Sequence, residues 1–311
     1  LLTGRLGVGN EQVYPGPGEQ LSFRPAFDYV SGPPFLDEAV LARRSLGGDE
    51  WEPPPHPDPR PVIEAWAETL AARGIRLLLV PTPVKPSIEH RPGRELQNPS
   101  FGPWVEAARA AGAEVFDPGQ LLAGIAADER PVYLRADTHW RPEVVERVAA
   151  ELGSVVEGLV DLDPPSATYR RQSAVVSNRG DLFDLLGLPE HQSVVSLEEV
   201  EIRRVVDSRR QLWRPDPSAE ILLLGDSFSN VYSMPELGWG EGAGLAEQLA
   251  ASLGCPVDKI AVNAGGAYGA RERLVAELAA GRDRLAGKKI VIWQFAQREL
   301  AVGDWKVLPI E

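Results

Sequence analysis

The strongest constraint on the fold is a set of short apolar runs, each too short for a buried helix and each closed by turn-forming residues. The clearest is Ile221-Leu222-Leu223-Leu224, ended by Gly225 and Asp226. Ile75 to Val80 is another, interrupted only by Arg76 and followed by Pro81-Thr82-Pro83. Glu114 to Pro118, Lys259 to Asn263 and Lys289 to Phe295 read as further strands. Between them lie helical stretches: Pro61 to Arg73, Phe101 to Ala111, Gln120 to Ala127, Pro142 to Leu152, and segments near 242–253 and 270–280. Proline in the first turn and glycine just past the end mark the Pro61 helix, and Gly112 ends the Phe101 helix. Strands alternating with helices imply parallel pairing and right-handed crossovers. The expected fold is α/β: a three-layer sandwich around a mainly parallel five-stranded sheet.

Two segments depart from this rhythm. Residues 1–60 are rich in glycine and proline and end in Pro53-Pro54-Pro55, Pro57 and Pro59, a stiff connector. Tyr14, Leu21, Phe23, Phe27, Tyr29 and Phe35 give that segment enough apolar surface to pack as an irregular arm on a body spanning 61–311, with a short helix at Ala39 to Leu46. Residues 155–219 read as a small β-rich excursion, on the strength of Val175-Val176, Val194-Val195 and the alternating stretch Val200 to Val206.

The chain has 32 basic and 45 acidic residues among 311, for a net charge of −13, which argues against nucleic acid or an anionic membrane surface as partner. Cys255 is the single cysteine, so an intramolecular disulfide is impossible and a cysteine-based zinc site is not expected. No apolar run approaches the ~20 residues of a membrane span. The chain starts Leu-Leu-Thr without an initiator methionine, and an N-terminal anchor or signal upstream of it is an open expectation.

The candidate chemistry sits in two stretches. A Gly225-Asp226-Ser227 turn after a buried strand puts the Ser227 hydroxyl at the mouth of a parallel sheet, where open α/β folds place ligands. Ser227 is then a candidate nucleophile if a base is near; the alternative is that Asp226 or Ser227 only caps the next helix. The second stretch is Tyr133-Leu134-Arg135-Ala136-Asp137-Thr138-His139-Trp140. In an extended loop, Asp137 and His139 point the same way, and the carboxylate can fix the imidazole tautomer while the other ring nitrogen faces a nucleophile. Of the remaining histidines, His56 lies in the proline connector, and His90 and His191 lie in polar loops. Asp-x-His also suits a metal, with Asp226 as a third ligand, although no further His or Cys cluster completes a coordination sphere. Gly238-Trp239-Gly240-Glu241-Gly242-Ala243-Gly244 is a loop rather than a dinucleotide fingerprint, because no buried strand leads directly into it; Trp239 there is either a sugar-stacking platform or a packed loop residue.

Tyr-x-x-x-Asp-Thr-His-Trp, followed about 90 residues later by Leu-Leu-Gly-Asp-Ser-Phe-Ser, resembles the periplasmic alginate O-acetyltransferase family, SGNH-hydrolase-like proteins of exopolysaccharide systems. Val13 to Gly16, Phe23-Arg24-Pro25, Gly32 to Leu36, Val80 to Lys85, Arg179 to Leu182 and Trp293 to Leu300 resemble other parts of it, so the likeness runs over nearly the whole chain. The resemblance implies Ser227 as nucleophile, His139 as general base and acid, and Asp137 as the residue orienting His139. It implies an O-acetyltransferase acting on an extracellular polysaccharide, without cofactor or metal, in the periplasm, supplied with acetyl groups by a membrane-bound O-acyltransferase. Asn263-Ala264-Gly265-Gly266 follows a strand, so its backbone N–H groups can join that of Ser227 in an oxyanion hole, or the glycines simply make a turn. Arg298, just past the last strand, is a candidate substrate ligand or an ion-pair partner. Two other readings remain at this level: a carbohydrate acetylesterase with the same three residues, and a non-catalytic polysaccharide-binding or assembly module.

Overall fold

A computed structural model describes residues 9–16, 18–47, 54–89, 93–164, 167–188 and 195–310. Pro53, His90, His191 and Val194 lie outside the described residues. In chain order the strands are β1 (Val13–Pro15), β2 (Leu21–Phe23), β3 (Arg76–Thr82), β4 (Glu114–Val115), β5 (Arg170–Asn178), β6 (Glu198–Val206), β7 (Ile221–Gly225), β8 (Asp258–Ala261) and β9 (Ile290–Ala296). Five of them form one sheet in the order β4-β3-β9-β7-β8, with every neighbouring pair parallel.

Alternation along the strands explains the layers. Leu78, Val80, Ile221, Leu223, Ile290 and Ile292 point into one core, shared with helices Gly119–Ala127, Pro142–Leu159 and Leu245–Leu253. Leu77, Leu79, Leu222, Leu224, Val291 and Trp293 point into the other, shared with helices Arg60–Ala72, Phe101–Ala110 and Gly266–Ala279. Strands buried on both faces read as continuous apolar runs, which is why they were visible in the sequence. The fold is the expected α/β sandwich on a five-stranded parallel sheet.

Pro81 sits inside β3, a central strand. However, β4 pairs only with Leu78 and Leu79, so Pro81 has a strand neighbour on one side alone, a setting that tolerates proline.

Some boundaries differ from the sequence expectation. The helix expected to stop at Leu152 continues through Gly153 to Leu159. Gly153 works there as a contact point: a Cβ at that position would lie 3.4 Å from the Leu253 and Ser252 side chains of the neighbouring helix. The N-terminal segment holds more regular structure than its composition suggests. β1 and β2 pair antiparallel, and Arg24–Ser31 is a helix with proline in its first turn. β5 and β6 form a long antiparallel hairpin apart from the main sheet.

Candidate active site

β7 lies between β9 and β8 and ends in Gly225. The chain then turns into a single helical turn, Ser227–Asn230, capped by Asp226, whose Oδ1 accepts the Phe228 N–H at 2.8 Å. Asp226 also accepts from Gln294 Nε2 (2.9 Å) and from the Ala296 N–H (3.0 Å), both on β9. Gln294 returns with Oε1, which accepts from the Asp226 N–H (3.2 Å) and the Ser229 hydroxyl (2.6 Å). Asp226 is thus a scaffold residue that fixes the turn to β9. The cap expected as an alternative to a nucleophile is present, and it leaves the Ser227 hydroxyl without a hydrogen bond among the described residues. Gly225 is required because a Cβ there would run into the Ser229 side chain.

Asp137 and His139 come together by a different route from the extended loop expected. Tyr133 and Trp140 pair as an isolated antiparallel bridge, and the Leu134 N–H donates to the His139 carbonyl at 3.0 Å, so 134–139 is a closed turn. Within it, Asp137 Oδ1 accepts both the His139 N–H (2.9 Å) and its Nδ1–H (2.6 Å). The turn is an Asx turn whose carboxylate also grips the ring. Asp137 Oδ2 accepts from the Asp181 N–H (3.0 Å) and from the Trp239 indole (2.8 Å). Asp137 is 1% exposed and His139 4%.

The two stretches meet through Trp140 and Phe228. The Trp140 indole donates to the Phe228 carbonyl (3.1 Å), and the Tyr232 hydroxyl donates to the Trp140 carbonyl (2.8 Å). The His139 ring lies edge-on against Phe228 with centroids 4.9 Å apart. The base candidate is therefore packed against the residue that follows Ser227. His139 Nε2 is buried without a hydrogen-bond partner, a costly state for a ring nitrogen unless something is to occupy it.

The electrostatics follow from this burial. Burial alone pushes the Asp137 carboxyl up, but His139 beside it and the three donors around it outweigh that and bring it down to about 2. Burial pushes the His139 imidazole down; the charge and hydrogen bond of Asp137, then Asp181 and Asp226, outweigh it and raise it above its usual value. Asp181 is pushed up to about 6 by burial and by the Asp137 charge, against the pull of His139 and Thr138.

Three residues of this site have contacts that the sequence did not show. Asp181 lies within the Arg179 to Leu182 stretch, but no local pattern marked it. Gly180, at φ 106°, lets that segment lie on the turn: a Cβ there would strike the Ala136 carbonyl and Asp137. Trp239 came from a glycine-rich loop and proves to be a buried donor to Asp137. Lys85 is also buried, and its ammonium donates to the carbonyls of Leu21 (3.0 Å), Leu134 (2.8 Å) and Arg135 (2.7 Å), tying the turn to β2.

The remaining candidates are dispersed around this centre. The Gly265 N–H donates to the Val262 carbonyl (3.4 Å), and a Cβ on Gly266 would strike the Glu299 carboxylate, which accepts from the Ala267 N–H. Asn263 Oδ1 accepts from Asn230 (2.9 Å), at the end of the Ser227 helix. Arg298 stacks over the Phe23 ring at 5.2 Å, lies 3.6 Å from Glu299, and lines a narrow cleft with Phe23, Lys85 and Thr138. His56 is exposed and pairs with Asp304. The metal set expected from Asp137, His139 and Asp226 is not assembled. Among the described residues the grouped donors are Asp137, His139 and Asp181, within 4.8 Å of one another. All four of their carboxylate oxygens already accept N–H or O–H groups, an arrangement suited to a hydrogen-bonded imidazole rather than to a cation.

A parallel α/β sandwich with a serine on the turn after an interior strand, and an Asp-x-His pair packed against the residue that follows it, fits the SGNH-hydrolase-like class. The family described as "SGNH hydrolase-like domain, acetyltransferase AlgX" matches residues 49–297, and the chain belongs to it. It is 32% identical over 163 residues to the probable alginate O-acetylase AlgJ of Pseudomonas aeruginosa; the match spans 46% of this chain and 41% of that relative, under half of its length. Among solved structures, the O-acetyltransferase domain of Pseudomonas putida AlgJ has TM-score 0.66 at 19% identity, covering 94% of this chain and 92% of that one. Pseudomonas aeruginosa AlgX has TM-score 0.59 at 19% identity, covering 91% and 61%. These structural likenesses concern the fold. No helix among the described residues is long and apolar enough to cross a membrane.

Proposed function

We propose that the chain is a polysaccharide O-acetyltransferase that works through an acetyl-Ser227 intermediate in an extracytoplasmic compartment. His139 Nε2 takes the Ser227 proton as Oγ attacks the acetyl carbonyl of the donor. The oxyanion faces the Ser227 N–H, one of the donors a helix start leaves free. The tetrahedral species collapses, the donor group leaves with the proton from His139, and acetyl-Ser227 remains. A sugar hydroxyl then gives its proton to His139, attacks the acetyl carbon and departs as the ester, while Ser227 regains its proton. Asp137 holds the imidazole through Nδ1 and stabilises its cationic form.

The observation that carries this reading is the 2.6 Å Asp137–His139 pair, buried and packed against Phe228, with Nε2 unpartnered. Membership of an acetyltransferase family supports acetyl as the group transferred. Ser227 itself is only half-buried, so the preference for a sugar over water as acceptor rests on the family membership. The relative whose name specifies alginate makes that polymer the first acceptor to try, with a membrane-bound O-acyltransferase as the natural supplier of acetyl groups. Arg298, at the cleft beside Thr138, is the proposed substrate contact.

The test is acetyl release from an activated aryl acetate with chelator present, followed by mass spectrometry of an oligosaccharide acceptor. Ser227→Ala and His139→Ala are expected to lose more than ~100-fold in turnover. Acetyl appearing only on water assigns an esterase instead. Polysaccharide binding by an inert parent chain assigns a binding module.

A further inference from the structure

The turn that carries Asp137 and His139 is not part of any regular element, so its shape depends on what grips it from outside. The tightest grip comes from one residue. Asp181 Oδ1 accepts the Thr138 N–H at 2.8 Å, and its Oδ2 accepts the Thr138 hydroxyl at 2.6 Å. Its own N–H donates to Asp137 Oδ2 at 3.0 Å, and its Oδ2 lies 3.6 Å from His139 Nδ1. One residue thus bonds to both Asp137 and Thr138 and lies beside His139, so the imidazole Nδ1 has two carboxylates near it rather than one.

From this geometry we infer that Asp181 is a positioning residue for the proposed reaction: it fixes Thr138 and Asp137 so that His139 keeps one orientation as it gains and loses its proton, and it lends a second negative charge to the protonated ring. The inference rests on the reading of His139 as the base. The second charge follows from distance. Asp137 is the hydrogen-bonded partner at 2.6 Å, and Asp181 the non-bonded one at 3.6 Å. Both act in the same direction on the imidazolium, and Asp226 adds a weaker contribution from the β7 side. Lys85 is the nearby cation, at the base of the turn, where it feels Asp137 and Asp181 together. Two anions against one imidazole would repel each other if the ring stayed neutral. Asp181 is the one pushed up, to about 6, first by burial and then by the Asp137 charge, and its two Thr138 contacts tie it to the turn.

The experiment compares the parent with Asp181→Asn and Thr138→Val, using aryl-acetate turnover against pH and, separately, the His139 titration followed by NMR in a Ser227→Ala background. Four histidines make His139 assignable by its loss in His139→Asn. Asp181→Asn is nearly isosteric and is expected to lower kcat roughly 10- to 100-fold with little change in KM, as a base held less rigidly would. It should also move both the acidic limb of the profile and the His139 midpoint down by about one pH unit, because an anion favouring the protonated ring has gone. Thr138→Val, which keeps the charge but cuts the hydroxyl bond, should lower kcat while leaving the acidic limb in place. If Asp181→Asn does not fold, Thr138→Val decides: reduced kcat in a folded chain supports the assignment, and parental kcat overturns it. An unchanged His139 midpoint in folded Asp181→Asn overturns it too, even if kcat falls, since Asp181 would then serve the fold alone. A parent without turnover defeats the catalytic reading of His139; the NMR midpoint still reports on whether Asp181 acts on that ring.

Discussion

At the scale of single residues, the site is a set of donors and acceptors matched around one carboxylate. Asp137 receives four N–H groups, two from His139 and one each from Asp181 and Trp239. Trp239→Phe removes the indole donor and keeps the packing. It is expected to cost about 1–3 kcal/mol in chemical denaturation and to slow turnover, because one Asp137 oxygen is left short of a partner in a buried place. The raised His139 value fixes the sign of the pH dependence. A base must be neutral, so kcat/KM should climb with pH through a midpoint above the usual imidazole value of 6.5. A midpoint at or below that value in the parent would mean that the carboxylates do not outweigh the burial of the ring. Stability runs with these shifts. The Asp137 contribution is present above its ordinary value of 3.8 and fades as the pH falls toward about 2, whereas the His139 contribution is full below 6.5 and fades as the pH rises through its raised folded value. That the Asp137–His139 stretch and the Ser227 stretch belong together was suggested by the sequence because each sits in a short motif with its own chemistry, and the structure packs the two against each other. The contacts of Asp181 and Trp239 were not legible there, since their role exists only after distant segments meet, and neither a Gly-Asp pair nor a tryptophan in a glycine-rich loop announces a partner about 40 or 100 residues away.

At the scale of elements, the turn after β7 is held by Asp226 and Gln294 to β9, and its tightness depends on Gly225. Gly225→Ala would push a Cβ into Ser229, so the Ser227–Asn230 turn must shift; a loss of about 1–3 kcal/mol and a drop in turnover are expected, read by thermal unfolding and the aryl-acetate assay. The opposite stretch, 133–140, leans on Lys85. Lys85→Met leaves the Leu21 and Leu134 carbonyls without their donor and is expected to cost about 2–4 kcal/mol, measured the same way. The strands of the main sheet were readable because burial on both faces demands unbroken apolar runs. Helix ends were less so, because glycine carries two meanings. Gly112 stops a helix, whereas Gly153 lies inside one, where a Cβ would do no more than touch the neighbouring helix. β1, β2 and the helix at Arg24–Ser31 were hidden by a composition that resembles loop, since their order comes from contact with the body.

At the scale of the whole molecule, the N-terminal segment reaches the site. The Leu21 N–H donates to the Arg135 carbonyl at 3.0 Å, Phe23 lies under Arg298, and Lys85 joins β2 to the turn. A chain lacking residues up to Phe23 should keep the sheet but lose amide protection at 133–140 in hydrogen exchange, with turnover reduced roughly 10-fold or more. Full protection in that variant would show the turn to be self-sufficient. The strand order has a different consequence. Among the described strands β9 comes latest in sequence, yet it lies between β3 and β7. While the polypeptide is being made, β3 and β7 share no sheet until residues 290–296 arrive and slot between them. The Asp226 and Gln294 contacts that set the serine also wait for that strand. A chain without β9 would therefore lack the contacts that seat the Ser227 turn on the rest of the sheet.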